Sequence, residues 1–317
     1  MKLSPKALGL TAAVVTVLIW SSFIVVARAS AAHSLLPLDI AFLRIIGAGC
    51  VLLPWGWWLM RAQRPSHGDI HHTSSSLFGL SPLPLRVTAL AGIFGSVLYA
   101  MLAYSGFFFA PAAHASVLMP GSLPLWTSLL AFVVLHDQLT RARVMGLACI
   151  VLGDMLVGGA SLLKAFDGGE VWKGDLLFMS AAFCWACYTV LVRCHALEPV
   201  RATIAITAFA CVSFVPLYGV AAYAGWAPTH LGTAPIEEML FQAIYQGVGS
   251  VVISGITFNV MIRHFGPVRS TMITALVPGL SALGAVVFLN EPMSLNLLGG
   301  LALVTCGILF GVRLPKT

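Results

Sequence analysis

The sequence predicts an all-α integral membrane protein in which ten transmembrane helices form two inverted five-helix repeats. Three observations predict this fold: an apolar composition, ten apolar segments of spanning length, and an internal sequence match. Of the 317 residues, 59% are hydrophobic and only 9% are charged, whereas a soluble domain has about 25% charged residues. Because so much apolar surface is stable in a bilayer and unstable in water, the composition predicts a multi-pass membrane protein.

Ten segments have the length and composition of a spanning helix, which needs about 20 mainly apolar residues. They are Leu8–Ala29, Leu38–Met60, Val87–Phe109, Ala112–Val134, Ala142–Leu163, Gly174–His195, Thr203–Ala224, Met239–His264, Pro267–Leu289 and Ser294–Val312. The polar connection Arg61–Arg86 is predicted to be a cytoplasmic loop. Its histidines, His67, His71 and His72, are interpreted as solvated residues rather than metal ligands.

The seven cysteines lie within or at the ends of apolar segments, and no pair of C-x-x-C motifs is present. A metal site built from paired cysteines is therefore not predicted. The spans also lack the facing clusters of His, Asp, Glu or Cys that a membrane-embedded enzyme needs. The sequence thus predicts no metal, no cofactor and no enzymatic activity.

The distribution of Lys and Arg predicts the orientation, because cytoplasmic loops collect these residues. With the N-terminus inside, 13 of them fall on the inner side, and Arg28, Lys164 and Lys173 fall on the outer side. The sequence therefore predicts a protein of the cell inner membrane with both termini in the cytoplasm. The net charge of +6 follows from this distribution. Because the basic residues are scattered over the loops, they do not predict nucleic-acid binding.

The two halves of the chain match each other. An ungapped alignment of Ser116–Gly153 with Ser270–Gly307 has ten identities in 38 positions, and it places Asp137 on Glu291. A weaker match upstream pairs Trp20 with Trp185 and Arg28 with Arg193. We predict one repeat at residues 1–163, including the loop 61–86, and a second repeat at residues 164–317.

Each predicted repeat contains five spans. Since five is odd, the second repeat enters the membrane from the opposite side, so the two repeats are inverted. Inverted repeats are an architecture of secondary transporters, in which exchanging the conformations of the halves exposes a central site to alternate sides. A channel is the less favoured alternative, since the sequence has no segment typical of the selectivity filter of a channel.

Two runs of residues resemble a known family. PAAHASVLMPGSLPLWTSLLAFVVLHDQL and GPVRSTMITALVPGLSALGAVVFLNEP are similar to the two halves of an EamA-type member of the drug/metabolite transporter superfamily. The tryptophans in the middle of the first and sixth spans, and the Phe42-Leu43-Arg44 run in the second, add to this resemblance. It implies a ten-helix fold, alternating access, and export of amino acids or similar metabolites. Asp137, where the family has Glu, and Phe209, where a second Arg is expected, depart from the pattern.

Two prolines occupy matching positions, Pro124 in the fourth span and Pro278 in the ninth. A proline inside a helix frees a carbonyl group, which a membrane tolerates where a cavity or neighbouring groups satisfy it. Matched interruptions in two repeats predict a central binding site. The face that contains Pro124 also contains Ser116, Pro120 and Thr127, and the face that contains Pro278 also contains Thr271, Thr274 and Ser281. Helix packing through small polar residues is the alternative interpretation.

Trp20 and Trp185 lie near the middle of their spans, although tryptophan normally gathers at membrane interfaces. A buried indole N–H needs a partner, which a polar cavity supplies. Other polar residues within spans are expected to face inward. The predicted substrate-pathway residues are Trp20, Tyr99, His114, Ser116, Pro124, Thr127, Trp185, Tyr188, Gln246, Asn259, Thr271, Thr274, Pro278 and Ser281. Plain packing is the alternative for the tryptophans, and a structural role is the alternative for His114.

Arg44 and Asp154 are the two ionisable residues that lie clearly inside predicted spans, and both fall in the outer half of the bilayer. An isolated charge there costs about 2.5–3.5 kcal/mol on insertion scales, and pairing offsets much of this cost. We therefore predict an Arg44–Asp154 ion pair. The alternative is that Asp154 binds a proton that is coupled to transport.

The scarcity of charge within the spans predicts the kind of solute. A sugar-phosphate or nucleotide-sugar carrier needs several Lys or Arg residues to bind phosphate, and a small-multidrug type of drug exporter needs a carboxylate in its first span. Arg44 is the one basic residue that lies clearly inside a predicted span rather than near its end, and the first span has no acid. The sequence therefore predicts an exporter of a small neutral or zwitterionic metabolite, such as an amino acid. Its predicted partners are this solute and the lipid bilayer. Proton or substrate counter-transport and the oligomeric state are left open.

Overall fold

The structure is a computed structural model that describes residues 5–62, 75–164, 168–274 and 276–312. Residues 63–74 of the predicted loop between the second and third spans, with His67, His71 and His72, lie outside these ranges. Four of the basic residues that predicted the orientation lie outside them too: Lys2, Arg64, Arg313 and Lys316. The described residues are mainly helical, and their strand-like pairing is a single bridge between Ser76 and Ser81.

Ten apolar helices account for the described fold. They are α1 (Pro5–Ser30), α2 (Pro37–Ala62), α3 (Leu85–Phe109), α4 (Ala112–Val134), α5 (Arg141–Lys164), α6 (Val171–Cys194), α7 (Pro199–Tyr223), α8 (Ile236–Phe265), α9 (Pro267–Leu289) and α10 (Leu295–Val312). In the described part of the chain, nine helices are long and apolar enough to cross a membrane, and α10 is shorter. An all-α, multi-pass membrane protein is thereby confirmed.

The predicted ends agree with these helices to within four residues. The largest difference is at α7, which begins at Pro199 rather than Thr203, and α1 begins at Pro5 rather than Leu8. Proline is favoured in the first turn of a helix because its missing N–H would be unpaired there in any case. Helices that start at a proline therefore extend beyond the apolar segment that hydropathy detects.

Helices from the first half of the chain pack closely on helices from the second half. Gly153 of α5 faces Gly300 of α10, and a Cβ atom on Gly153 would lie 2.8 Å from the carbonyl oxygen of Gly300. A Cβ atom on Gly247 of α8 would likewise lie 2.7 Å from the backbone nitrogen of Ala48 in α2. Small residues allow such close backbone approach between membrane helices.

Several helices contain a break in regular α-helical hydrogen bonding. In α4, a wider π-type turn at Val117–Gly121 contains Pro120, and regular helix resumes at Leu123–Val134. In α9, the first helical segment ends at Ile273 and the second begins at Leu276. Further π-type turns lie in α3 (Ile93–Val97) and α8 (Ala243–Ile253). The breaks in α4 and α9 lie just before the matched prolines, Pro124 and Pro278.

The bundle has two ends, which we call the first face and the second face and define by their residues. The first face contains the end of α4, the end of α6, and the turn between α8 and α9, which together line one cavity. The second face contains the end of α1, the start of α4 and the end of α9, which contact each other through Arg28, Ala112 and Glu291.

Candidate functional site

A small cavity lies between α1, α3, α4, α6 and α9, at the middle of the bundle. Its volume is about 30 Å³, which is room for about two water molecules. The lining residues are Trp20, Phe23, Ile24, Tyr99, Met119, Pro120, Leu123, Ala182, Trp185 and Val277. Three of the predicted site residues, Trp20, Tyr99 and Trp185, therefore meet at one place.

The two mid-span tryptophans are in direct contact. The ring centroids of Trp20 and Trp185 lie 5.8 Å apart with an interplanar angle of 78°, an edge-to-face arrangement that aromatic pairs favour. Trp185 also packs against Tyr99 at 4.9 Å and Tyr188 at 5.2 Å. Phe258 lies against both indoles. These rings form an aromatic cluster beside the cavity.

The two indole N–H groups differ in their partners. Nε1 of Trp20 donates a hydrogen bond to Oγ of Ser254 over 3.3 Å. Nε1 of Trp185 is buried and has no partner among the described residues. Leaving a buried donor unpaired costs about 1–3 kcal/mol. Because Trp185 lines the cavity, a hydrogen-bond acceptor on a bound solute is a suitable partner for it.

Tyr188 and Asn259 belong to a buried polar network at the edge of the aromatic cluster. Nδ2 of Asn259 donates to the hydroxyl of Tyr188 over 2.8 Å and to Oγ1 of Thr203 over 3.1 Å. The Oδ1 atom of Asn259 is buried without a partner. Gln246 in α8 is also fully buried, and neither atom of its amide has a partner among the described residues.

Arg44 is buried beside the aromatic cluster, and its partners are neutral. Its NH1 group donates to the hydroxyl of Tyr104 and to Oγ of Ser250, each over 3.1 Å. Its guanidinium carbon lies 5.7–5.9 Å from the ring centroids of Phe23, Tyr99 and Tyr104. Hydroxyl oxygens and aromatic faces together stabilise a buried cation.

The predicted ion pair between Arg44 and Asp154 is wrong. Arg44 on α2 faces α3 and α8, whereas Asp154 on α5 lines a separate groove with residues of α4 and α6. Both carboxylate oxygens of Asp154 are buried without a partner among the described residues. The sequence placed the two residues at a similar depth, but it could not show which neighbours each helix faces.

The small polar residues near the matched prolines lie outside the central cavity, and all are buried. The hydroxyls of Ser116, Thr271, Thr274 and Ser281 bond to carbonyl oxygens of their own helices, over 2.6–2.9 Å. In this conformation these hydroxyls do not face the central cavity, which agrees with the alternative interpretation that they serve helix packing. Thr127 differs, because its buried Oγ1 has no partner among the described residues. In α4 the cavity is lined by Pro120 rather than Pro124, and Pro278 packs near Gly121.

His114 is engaged in a polar contact at the second face. Its Nδ1 atom lies 2.9 Å from Oδ1 of Asp175, at the start of α6. This contact joins the beginnings of α4 and α6. No group of three or more His, Cys, Asp or Glu side chains that could hold a metal ion occurs in the described ranges.

Sequence reasoning missed the role of Glu291. Its two carboxylate oxygens accept hydrogen bonds from the backbone N–H groups of Ala112 and Ala113, each over 3.0 Å, at the start of α4. Its Oε1 atom also lies 3.4 Å from Nε of Arg28. A carboxylate at a helix N-terminus is stabilised by the unpaired N–H groups and the helix dipole. Glu291 thus joins α1, α4 and α9 at the second face.

Asp137, the residue that aligns with Glu291, has a different environment at the first face. Its side chain forms no hydrogen bond or ion pair with any described residue, and it lines a cavity of about 360 Å³. Arg143, Arg193 and the segment 265–269 line the same cavity. The alignment of Asp137 with Glu291 in the internal repeat is the sequence signal that could have predicted a role for an acid at each face.

Asp39 is a second buried acid that the sequence analysis did not single out. Its carboxylate accepts hydrogen bonds from the hydroxyls of Tyr218 and Thr229 and from the backbone N–H groups of Leu36 and His230. It is fully buried in the first turn of α2. Four donors satisfy this charge, so its role is to fix the loop after α7 on the start of α2.

The chain is similar to proteins that are named as transporters. The model of the EamA-like transporter family matches residues 7–159 and 172–313. "Uncharacterized transporter YyaM" of Bacillus subtilis is 25% identical over 238 residues, which cover 73% of this chain and 74% of that protein. An "Uncharacterized transporter" of Archaeoglobus fulgidus is 24% identical over 291 residues, which cover 90% of this chain and 91% of that protein.

A solved crystal structure aligns with 96% of this chain and 96% of its own, with a TM-score of 0.58 and 21% sequence identity. At that identity the likeness shows the fold alone. The family match covers both halves of the chain and confirms the resemblance found in the residue runs. These findings point to a transporter rather than an enzyme. The chain belongs to the EamA-like transporter family.

Proposed function

We propose that the protein is a secondary transporter that exports a small neutral or zwitterionic metabolite, an amino acid or a related compound, by alternating access. The observation that carries the proposal is the central aromatic cavity between Trp20 and Trp185, one indole from each half of the chain. Transporters built from inverted repeats bind their solute at the interface of the repeats, near the middle of the membrane.

The chemistry of the cavity supports a zwitterionic solute with an apolar part. Its walls are mainly aromatic and aliphatic, and the unpaired N–H of Trp185 offers one hydrogen bond. The guanidinium carbon of Arg44 lies 5.8 Å from the ring centroid of Tyr99, which lines the cavity. A positive charge just behind the wall favours a solute with a carboxylate.

The same environment argues against a phosphorylated solute. A phosphate group with about two negative charges is usually bound by several Arg or Lys side chains. Among the described residues that line the central cavity, none is charged. One buried arginine behind an aromatic wall is better matched to a single carboxylate than to a phosphate.

The two ends of the bundle support alternating access. At the second face, Glu291 joins α4 and α1, and this closes the region between them. At the first face, Asp137 lines a cavity with Arg193 and the start of α9. If the repeats are inverted, these positions are equivalent, since Asp137 aligns with Glu291 and Arg193 with Arg28. We propose that Asp137 forms the corresponding contacts at the first face when those of Glu291 open.

We propose further that the first face is cytoplasmic, in the inner membrane. Arg143, Arg193 and Arg269 line the cavity there, and cytoplasmic ends of membrane proteins are rich in such residues. With this orientation the cavity at the first face opens toward the cytoplasm, while Glu291 joins α1, α4 and α9 at the second face, which supports export. A reporter fused after Thr317 that is active only outside the cytoplasm should be inactive. Activity of that reporter would reverse the proposed orientation.

The proposed function is tested by efflux from proteoliposomes loaded with amino acids, sugar phosphates or organic cations. We expect saturable efflux of at least one amino acid or related zwitterion. Replacing Trp185 by Phe keeps the ring and removes the N–H, so we expect weaker apparent affinity for that solute. Trp226→Phe is the matched control, because Trp226 is 81% exposed.

Three results would contradict the proposal. The first is a strong preference for phosphorylated sugars over every zwitterion in the panel. The second is an effect of Trp226→Phe as large as that of Trp185→Phe, which would separate the solute from the central cavity. The third is a flux far above about 10³ solutes per second. Such a flux exceeds the usual turnover of proteins that complete one conformational cycle for each solute, and it would indicate a channel.

A further inference from the structure

A second cavity lies apart from the central one, in a groove between α4, α5 and α6. Its volume is about 320 Å³, roughly ten times that of the central cavity. Its lining includes Leu118 and Trp126 of α4, Asp154 of α5, and Trp172 and Asp175 of α6. The groove is mainly apolar, and its rim residues Met155 and Leu176 are 65% and 56% exposed. It is therefore reachable from the lipid side of the bundle.

Asp154 is the unusual residue of this groove. Its side chain is only 6% exposed, and neither carboxylate oxygen has a hydrogen-bond partner among the described residues. Trp126 lines the same groove, and its Nε1 atom is also buried without a partner. Buried polar atoms are nearly always hydrogen-bonded in proteins. The unpaired carboxylate of Asp154 indicates that a donor group on a bound molecule completes its hydrogen bonds, and the Trp126 indole supplies an aromatic wall of the same groove.

Asp175 is near Asp154, but it is already engaged. Its Oδ2 atom lies 3.9 Å from the position that a Cβ atom on Gly158 would take, one helical turn along α5 from Asp154. Its Oδ1 atom contacts His114. Asp154 is therefore the carboxylate that remains available to a ligand, and Asp175 adds negative charge at one end of the groove.

We infer that this groove is a binding site for an amphipathic organic ammonium ion. The ammonium group donates hydrogen bonds to Asp154, and the apolar part of the ligand lies between the indoles of Trp126 and Trp172. Carboxylates and aromatic faces are the usual partners of organic cations in proteins. A metal ion fits less well, because hard cations need six or more oxygen ligands and the groove supplies two acids, one of them engaged.

The groove is a separate site from the central cavity, although both touch the same turn of α4. Leu118 lines the groove, and the next two residues, Met119 and Pro120, line the central cavity. Binding in the groove is measured without any transported solute. The result therefore tests binding in the groove whether or not the proposed transport function is correct.

The test uses the full-length protein in lipid nanodiscs, with phenethylammonium as the probe and 2-phenylethanol as its neutral analogue. We expect saturable binding of the ammonium ion by calorimetry, and binding of the alcohol at least about tenfold weaker, since a charged hydrogen bond is lost. Empty nanodiscs give the contribution of partition into lipid. This comparison needs no variant, so it stays informative if a variant fails to fold.

Variants then locate the probe. Asp154→Asn keeps the shape of the side chain, and we expect it to weaken binding about tenfold or more. Trp126→Phe should weaken binding by a smaller factor. Glu237→Gln is the control, because Glu237 is exposed in the first turn of α8 and does not line the groove, so binding should be unchanged.

Four results would overturn the inference. The first is equal binding of phenethylammonium and 2-phenylethanol to the wild-type protein. The second is unchanged binding to Asp154→Asn. The third is binding that depends on Trp185 rather than Asp154, which would place the probe in the central cavity. If no ammonium binds and Asp154→Asn alters only the pH dependence of efflux, the groove is a proton site and the inference is wrong.

Discussion

The Nε atom of Arg28 lies 3.4 Å from Oε1 of Glu291, and this contact brings the end of α1 to the end of α9. Arg28 also donates a hydrogen bond from NH1 to the carbonyl oxygen of Phe107 at the end of α3. Glu291 in turn accepts from the first two N–H groups of α4. One pair of residues therefore connects four helices at the second face.

Asp137 and Glu291 have the same local backbone and different partners. Each N–H group bonds over 3.2 Å to the carbonyl six residues earlier, in Ala131 and Ala285 respectively. Each acid follows a residue in the left-handed region, His136 with φ 56° and Asn290 with φ 53°, and these two residue types enter that region more readily than most. The difference between the faces therefore comes from the surrounding helices.

The first prediction concerns the contact at the second face. Glu291→Gln removes the charge that Arg28 and the start of α4 stabilise, so we expect a loss of about 1–2 kcal/mol of stability. The measurement is thermal unfolding of the purified protein. Glu237→Gln is the control, because Glu237 is exposed and has no bonded partner among the described residues. Equal unfolding temperatures for Glu291→Gln and the wild type would refute the role of this contact.

The second prediction concerns Asp137. Because its side chain forms no hydrogen bond or ion pair with any described residue, Asp137→Asn should leave the unfolding temperature nearly unchanged. If Asp137 takes the role of Glu291 at the other face during the cycle, the same variant should slow efflux severalfold. Efflux from proteoliposomes and thermal unfolding are measured on the same preparation. A variant with a wild-type efflux rate would contradict the proposed exchange of contacts.

The third prediction concerns Arg44. Arg44→Lys keeps the charge but loses the planar group that reaches Tyr104, Ser250 and three ring faces. We expect destabilisation by about 1–3 kcal/mol, in the range for breaking a buried polar network. Arg61→Lys is the comparison, because Arg61 is exposed and lies over the ring of Trp57 at 4.9 Å from the centroid. Similar unfolding temperatures for the two variants would show that the guanidinium geometry does not matter.

The fourth prediction concerns the contact between α5 and α10. A Cβ atom at position 153 would lie 2.7 Å from Val304 Cγ2 and 2.8 Å from the Gly300 oxygen. Gly153→Ala should therefore destabilise the protein by about 1–3 kcal/mol through overpacking. Gly159→Ala in the same helix is the control, since nothing lies within 4 Å of its Cβ position. The prediction fails if both variants unfold at the same temperature.

The part of the site that sequence could predict followed from single residues in unusual places. A tryptophan in the middle of a span is exceptional, and Trp20 and Trp185 do meet at the central cavity. Hydroxyl residues are poorer indicators, because Ser116 and Ser281 can bond to carbonyls of their own helices and then need no cavity. The predicted Arg44–Asp154 pair failed for a related reason, since similar depth in the membrane does not imply that two side chains face each other.

The sequence by itself determined the class of fold, the helix boundaries to within a few residues, and the family. An apolar segment of spanning length forms a helix in a bilayer, because a single segment pairs all its N–H and C=O groups internally only as a helix. The tertiary structure alone decided which side chains meet. Rotation of each helix about its axis depends on packing against several neighbours at once, as at Gly153 and Gly300. For that reason Arg44 lies among aromatic rings, Asp154 lines a groove, and Glu291 caps α4.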